Sequence, residues 1–345
     1  MLRAVKTWLA TAAIIGAIGA QAPLQAAEEY PEITFRFATG FPKALYMEQP
    51  TEFFAEKVKE RSGGKITVKT HYAGALGKAN EIFDLVSKGA IDMGSIVQGF
   101  ATSNLPLAAM TNSLPMTFFD GEAAMWASIE MEKINDDLKA EFAKANIKPL
   151  VHRYLPNYKL ICTKPVRNLA DLKGMKIRTF GSYMPIMFNS IGVTPVNVLP
   201  ADMYEALKRG SMDCSYLTDA NFIVYKLHEV AKYLVDVKFG GINAYYLAIN
   251  LDKWKSLPAN VQKLLLEIGE EATKFGVAAV AETEKAAYDK MVAEGAQVIK
   301  FEQQKELEDA VPDMIEIWIA EMAKIGMEKQ ARNYAQQLKA LLKMQ

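Results

Sequence analysis

The amino-acid sequence predicts an α/β protein: two lobes joined by hinge strands, with one long helix crossing both. Three observations predict this fold. Strand-type and helix-type runs alternate along the 345-residue chain, as in βαβ units that build mainly parallel sheets with helices on both faces. A short unit occurs twice. Glu81-Ile82-Phe83-Asp84-Leu85-Val86 leads into Lys88-Gly89-Ala90-Ile91-Asp92-Met93, and Met203-Tyr204-Glu205-Ala206-Leu207 leads into Arg209-Gly210-Ser211-Met212-Asp213-Cys214, the two glycines lying 121 positions apart. Residues 258–294 carry one uninterrupted helical pattern.

Taken in order, the chain begins with Arg3 and Lys6 ahead of an uncharged run of 13 residues from Trp8 to Ala20. That is the layout of an export signal, too short for a membrane span. Residues 1–27 are expected to be removed near Ala26 or Ala27, leaving an exported, periplasmic protein. Strands are expected at 34–38, 65–71 and 91–97, and again at 175–179, 193–198 and 213–218. A helix over 46–61 repeats Phe53, Phe54 and Val58 at helical spacing, and Ser62-Gly63-Gly64-Lys65 ends it. Within each repeat, Gly89 or Gly210 suits the position just past a helix, where positive φ is needed, and Asp92 or Asp213 opens the next strand.

Long β-type segments at 148–163 and 244–250 supply the two crossings that a hinge between lobes requires. In the helix expected over 258–294, Pro258 stands at the start and Val261, Leu264, Leu265 and Ile268 fall in i, i+3, i+4, i+7 register. At 1.5 Å per residue such a helix spans about 54 Å, more than one small domain.

Composition narrows the function. Without Arg3 and Lys6, 38 basic residues face 40 acidic ones, which argues against nucleic acid as a partner. The length suits two domains. The two cysteines, Cys162 and Cys214, could pair in an oxidising compartment, but the sequence does not place them within reach. His71, His152 and His228 are isolated from partners at metal-ligand spacing. No G-x-S-x-G, H-E-x-x-H or C-x-x-C motif occurs, and neither Gly63-Gly64-Lys65-Ile66 nor Gly74-Ala75-Leu76-Gly77-Lys78 has phosphate-loop spacing. No catalytic residue, metal ligand or cofactor is assigned, and the pattern suggests a two-lobed binding protein rather than an enzyme.

Arg178 stands out. It ends the strand-like Met175-Lys176-Ile177-Arg178-Thr179, and ligands of open parallel sheets sit beyond the carboxyl ends of strands. Phe180-Gly181-Ser182 follows, with Ser182 expected to cap a helix over 183–191. A guanidinium fork beside a helix start suits a carboxylate, sulfonate or phosphate.

The run Asn168-Leu169-Ala170-Asp171-Leu172-Lys173-Gly174-Met175-Lys176-Ile177-Arg178 carries a wider resemblance. It is followed by Gly192-Val193-Thr194-Pro195-Val196, Tyr204-Glu205-Ala206-Leu207 and Gly210-Ser211-Met212-Asp213. With Gly63-Gly64-Lys65-Ile66, Gly74-Ala75-Leu76-Gly77 and Gly89-Ala90-Ile91-Asp92-Met93, these segments resemble the substrate-binding proteins of tripartite ATP-independent periplasmic (TRAP) transporters, the DctP family, over about residues 31–340. The resemblance implies a periplasmic subunit that captures a small organic anion between its lobes. It would deliver that anion to a membrane permease of one small and one large subunit, driven by an ion gradient.

The resemblance places Arg178 as the carboxylate clamp. It divides the chain into a first lobe of 31–152 plus about 240–275, a second of 153–239 plus about 295–315, the crossing helix 258–294, and C-terminal helices over 312–343. Many members place an Asn where Leu217 stands, so Tyr216, Thr218, Asp219 or Asn221 would take over its hydrogen bond. Sialic-acid-binding members carry a second arginine at the position of Tyr158, beside Lys159; the tyrosine or the lysine would replace it here, which argues against that binding mode. Thr39, Phe41, Tyr46 and Gln98 are the first-lobe candidates, and Phe180 and Ser182 flank the arginine. The ligand classes this admits are C4-dicarboxylates, hydroxy or keto acids, and sulfonates such as isethionate or taurine. One clear cation favours a small monoanion. The rival readings are an ABC-type binding protein for amino or organic acids and a secreted α/β enzyme acting on small acids.

Overall fold

The computed structural model describes residues 29–344; the leader and its cleavage near Ala26 or Ala27 lie outside them. In chain order the strands are β1 (Ile33–Ala38), β2 (Ile66–His71), β3 (Met93–Ile96), β4 (Ile147–Leu155), β5 (Lys159–Cys162), β6 (Lys176–Thr179), β7 (Thr194–Asn197), β8 (Cys214–Leu217), β9 (Tyr233–Asp236), β10 (Ile242–Asn250) and β11 (Gln297–Lys300). They form a five-stranded sheet ordered β2-β1-β3-β10-β4 and a six-stranded sheet ordered β11-β9-β5-β8-β6-β7.

The repeated unit plays one structural part in both sheets. Gly89 and Gly210 have φ of +70° and +69°, a conformation in which a Cβ is strained. Beyond each glycine the aspartate fastens the neighbouring strand. Asp92 Oδ2 accepts the Arg36 amide of β1 at 2.7 Å, and Asp213 Oδ2 accepts the Lys176 amide of β6 at 2.8 Å.

The sheets are mixed rather than mainly parallel. β1, β2 and β3 pair in parallel, as do β6, β7 and β8 and the pair β9/β11, whereas β10 is antiparallel to β3 and β4, and β5 is antiparallel to β8 and β9. The reason is the hinge: a strand that enters a sheet directly from the other lobe, without a crossover helix, runs against its neighbours. The expected continuous segment at 148–163 likewise divides into β4, in the first sheet, and β5, in the second.

The break falls where Pro156 removes a backbone donor. Asn157 then joins the two crossings, its Nδ2 donating to the Val237 carbonyl (3.2 Å) and its Oδ1 accepting the Gly240 amide (3.0 Å). Tyr158 N to Gly240 O (2.8 Å) and Phe239 N to Tyr158 O (3.2 Å) complete the joint. Gly240 has φ of +85°, and a Cβ there would lie 2.4 Å from the Phe118 carbonyl.

The long helix is one element, Ala259–Ala293, of 35 residues, about 52 Å at the standard rise. Its first half packs Val261, Leu264, Leu265, Ile268 and Ala272 with Phe35, Val151 and Leu247 of the first lobe. Its second half places Val280, Ala287 and Met291 in a core shared with the second lobe. Gly269 and Gly276 do not break it. A Cβ at Gly269 would lie 2.3 Å from the Leu150 carbonyl, and one at Gly276 would lie 2.7 Å from Pro50 Cγ, so these glycines let β4 and the helix Gln49–Arg61 approach closely. The C-terminal helices Met314–Lys324 and Glu328–Leu342 return to the first lobe, where Trp318 Nε1 donates to the Pro106 carbonyl (3.1 Å) and Gln337 accepts from Asn135 (2.8 Å). Among the described residues no helix is long and apolar enough to cross a membrane.

Cys162 and Cys214 face each other on β5 and β8 and are bonded, their Cα atoms 4.1 Å apart and 52 residues apart in sequence. Closing a loop of that length restricts the unfolded chain, typically by about 2–4 kcal/mol. The double variant Cys162→Ala/Cys214→Ala should therefore unfold at a clearly lower temperature in thermal denaturation. An unchanged midpoint would show that the bond adds nothing to stability.

Candidate functional site

Both lobes and the hinge enclose a cavity of about 440 Å3, counting its open mouth. The first lobe lines it with Phe41, Leu45, Met47, Val97, Phe100 and Asn112; the hinge adds Leu155, Ile242, Ala244 and Tyr245. From the second lobe come Tyr158, Arg178, Phe180, Leu217, Asn221 and Tyr225, together with Pro200.

Arg178 lies at the end of β6 and is 2 % exposed. Its Nε donates to the Val198 carbonyl at 3.1 Å and Nη1 to the Tyr216 carbonyl at 3.2 Å, and the guanidinium carbon sits 4.9 Å from the centre of the Phe180 ring. Among the described residues no carboxylate forms an ion pair with it. Burial weakens its hold on its proton, yet a guanidinium stays charged at physiological pH. The site is therefore a buried positive charge held by dipoles and a ring face, opening on a largely apolar space. Such a charge is costly unless an anion joins it.

Two glutamates, the buried Glu48 and the half-buried Glu284, organise the surroundings. Glu48 accepts from Thr39 (3.0 Å), Thr51 (2.9 Å), Ser95 (3.2 Å) and Tyr245 (3.0 Å), which fixes the first-lobe wall. Glu284, on the long helix, accepts from Tyr46 of the first lobe (2.9 Å) and from Thr218 (2.8 Å) and the Ala220 amide (3.0 Å) of the second. Burial pushes the Glu284 carboxyl up, and the bonds from Ala220, Thr218 and Tyr46 pull it back down. Burial, then Glu284, pushes the Tyr46 hydroxyl up, so Tyr46 remains a donor. The lobes also touch directly. Thr102 and Ser182 hydroxyls lie 3.2 Å apart, the Phe100 and Phe180 rings meet edge-on at 5.7 Å, and a Cβ on Gly181 (φ +65°) would lie 3.0 Å from the Gly99 carbonyl.

The residues singled out in the sequence divide by position. Arg178, Phe180, Tyr158, Asn221 and Phe41 line the cavity, as does Leu217. Tyr216 lies beneath it, its ring stacked on Tyr158 at 4.5 Å and its carbonyl holding Arg178. Gln98 is fully buried beside the lining residue Val97, and neither of its side-chain polar atoms has a partner. The others serve neighbouring contacts: Lys159 and Asp219 pair with each other at 2.8 Å, Thr39 bonds Glu48, and Tyr46 and Thr218 bond Glu284. Burial raises the Asp219 carboxyl, and Lys159 lowers it.

Ser182 does not cap a helix. The helix is Met184–Ser190, preceded by Tyr183 with no side-chain cap; the exposed Ser182 hydroxyl turns to Thr102 instead. The charge of the site rests on the Arg178 guanidinium, the one cation among the described residues of the lining. The sequence reading missed Tyr225, Phe100, Asn112, Tyr245 and Glu284. Phe100 alone had a signal, two positions past Gln98 at the same strand end.

Comparison with known proteins follows the same outline. The sequence profile of the bacterial extracellular solute-binding proteins of family 7, DctP, matches residues 37–324. The 2,3-diketo-L-gulonate-binding periplasmic protein YiaO of Escherichia coli is 28% identical over 269 residues, 76% of this chain and 79% of that protein. A TRAP solute-binding protein of Rhodoferax ferrireducens, solved with copurified benzoate, superposes with a TM-score of 0.80 at 20% identity, over 90% of this chain and 97% of that one. One from a Bradyrhizobium species, solved with galacturonate, gives 0.77 at 23% identity, over 89% and 100%.

The tie through Glu284 predicts a change of shape. Glu284→Ala removes the acceptor shared by both lobes, so small-angle scattering should give a larger radius of gyration than for the parent protein. Equal radii would contradict a role for Glu284 in holding the lobes together.

Proposed function

The chain belongs to the bacterial extracellular solute-binding proteins of family 7, and on that premise we propose that it binds a small organic anion at Arg178 and passes it to a TRAP permease. The observation that carries this is a buried guanidinium, free of any carboxylate partner among the described residues, at the wall of a cavity between two hinged lobes. A carboxylate or sulfonate there completes the charge pair, and charge-assisted hydrogen bonds strengthen where water is excluded. Relatives of this fold hold benzoate and galacturonate, and both ligands offer a carboxylate.

Capture follows from the geometry. In an open form the anion reaches Arg178, whose fork is held in place by the Val198 and Tyr216 carbonyls. Closure brings Phe41, Val97 and Phe100 over the ligand, and the unpartnered Gln98 amide supplies hydrogen bonds if the ligand carries a polar substituent. Tyr46, Thr218 and Ala220 converge on Glu284 as the lobes meet. Binding energy shifts the population toward this closed state, and the closed surface is what the small and large permease subunits would recognise. The role is carriage without chemical change or cofactor, in the periplasm, after removal of the leader near Ala26 or Ala27.

Arg178→Ala should weaken the tightest ligand found in a thermal-shift screen of small carboxylates and sulfonates by at least about 2 kcal/mol, roughly 30-fold, because it strands a buried anion. Calorimetry measures this directly. Unchanged affinity would remove Arg178 from the site.

A further inference from the structure

We propose that the cleft selects monocarboxylates with a compact apolar body, an aromatic ring or a branched alkyl group, over dicarboxylates and polyhydroxylated sugar acids. This rests on the reading of Arg178 as the anion site and specifies what lies beyond the anion. The first lobe lines the space with Phe41, Leu45, Met47, Val97 and Phe100, which carry no side-chain hydrogen-bonding group, and with Asn112, while Phe180 and Leu217 come from the lobe that carries Arg178.

Of the polar side chains on the lining, the Tyr158 and Tyr225 hydroxyls have no hydrogen-bond partner among the described residues, and both interact electrostatically with Arg178, on the anion's side of the space; the others are largely committed elsewhere. Asn112 Oδ1 accepts the Gly99 amide at 2.8 Å, and its Nδ2 donates to the Asn243 carbonyl at 3.0 Å and to that of Ala244. The Tyr245 hydroxyl donates to Glu48 at 3.0 Å, and Asn221 Nδ2 donates to Thr218 at 2.9 Å. No second cation lines the space. The nearby Arg153 is occupied by the Met47 carbonyl, the Thr51 hydroxyl and the Tyr245 ring, and Lys159 by Asp219.

The second charge of a dicarboxylate would therefore be buried without a partner. Each ring hydroxyl of a sugar acid placed against the apolar first-lobe wall would lose its hydrogen bonds to water without replacement. An apolar body instead gains by leaving water, and a flat ring can pack against Phe180 and Phe41. Gln98, fully buried next to the lining residue Val97, has both its amide atoms unpartnered. It could serve one hydroxyl or keto group, and the two free tyrosine hydroxyls lie on the side of Arg178, so the several hydroxyls around a sugar ring stay unmatched.

The test is calorimetric titration of the full chain with benzoate, 3-methylbutanoate, succinate and galacturonate. Benzoate or 3-methylbutanoate should bind at least tenfold more tightly than succinate and galacturonate. If succinate or galacturonate binds as tightly or more tightly, the apolar-body selection is overturned while the anion-site reading stands. If none of the four binds, both are overturned. In Leu217→Asn the new amide faces the cavity, and the ratio of benzoate to galacturonate affinity should fall at least threefold; a properly folded variant with an unchanged ratio would remove Leu217 from the selecting wall.

Discussion

A guanidinium taken out of water without a counter-charge is the constraint around which this molecule is arranged. Arg178 can be tolerated there because β6 delivers it to the strand end, two backbone carbonyls from β8 and from the segment after β7 accept its hydrogen bonds, and an aromatic face lies beneath it. None of these partners cancels a unit charge, so the electrostatic need is left for something outside the chain. An apolar cavity increases that need by keeping the effective dielectric low.

The two-lobed design follows from the same requirement. A low-dielectric cleft must open to admit an anion and close to exclude water, and two lobes joined by a narrow hinge suit that need. Asn157 and Gly240 lock the two crossing strands into a narrow joint, while the repeated Gly-x-x-Asp units tie the sheets on either side with the same backbone-to-carboxylate bond. The long helix runs alongside, packing one half of its length on each lobe. At Glu284 it also senses their separation, since Tyr46 and Thr218 reach that carboxylate together only when the lobes are near. The direct contacts at Gly99 and Gly181 are close enough that bulkier residues there would hold the lobes apart.

What the sequence disclosed was whatever has a local pattern. The Gly89 and Gly210 repeats show in composition, the helix Ala259–Ala293 in its period, and Arg178 in its place at the end of an apolar strand run. Contacts made by distant segments left no such mark. A glutamate on the polar side of an amphipathic helix looks like any solvated residue, so Glu284 was invisible until Tyr46, Thr218 and the Ala220 amide were seen to converge on it. The pairing of Cys162 with Cys214 depends on the antiparallel register of β5 and β8, which a sequence separation of 52 does not reveal. Ser182 has the right identity for a helix cap, but the helix begins beyond it and its hydroxyl serves the opposite lobe.

The central claim, that Arg178 awaits the carboxylate of a solute held between the lobes, is tested most directly by a crystal structure of the full chain grown with benzoate. The account predicts a closed cleft in which the carboxylate lies within hydrogen-bonding distance of the Arg178 guanidinium and the ring sits against Phe180 and the first-lobe wall. A benzoate bound elsewhere, with Arg178 still held only by the carbonyls of Val198 and Tyr216, would contradict it.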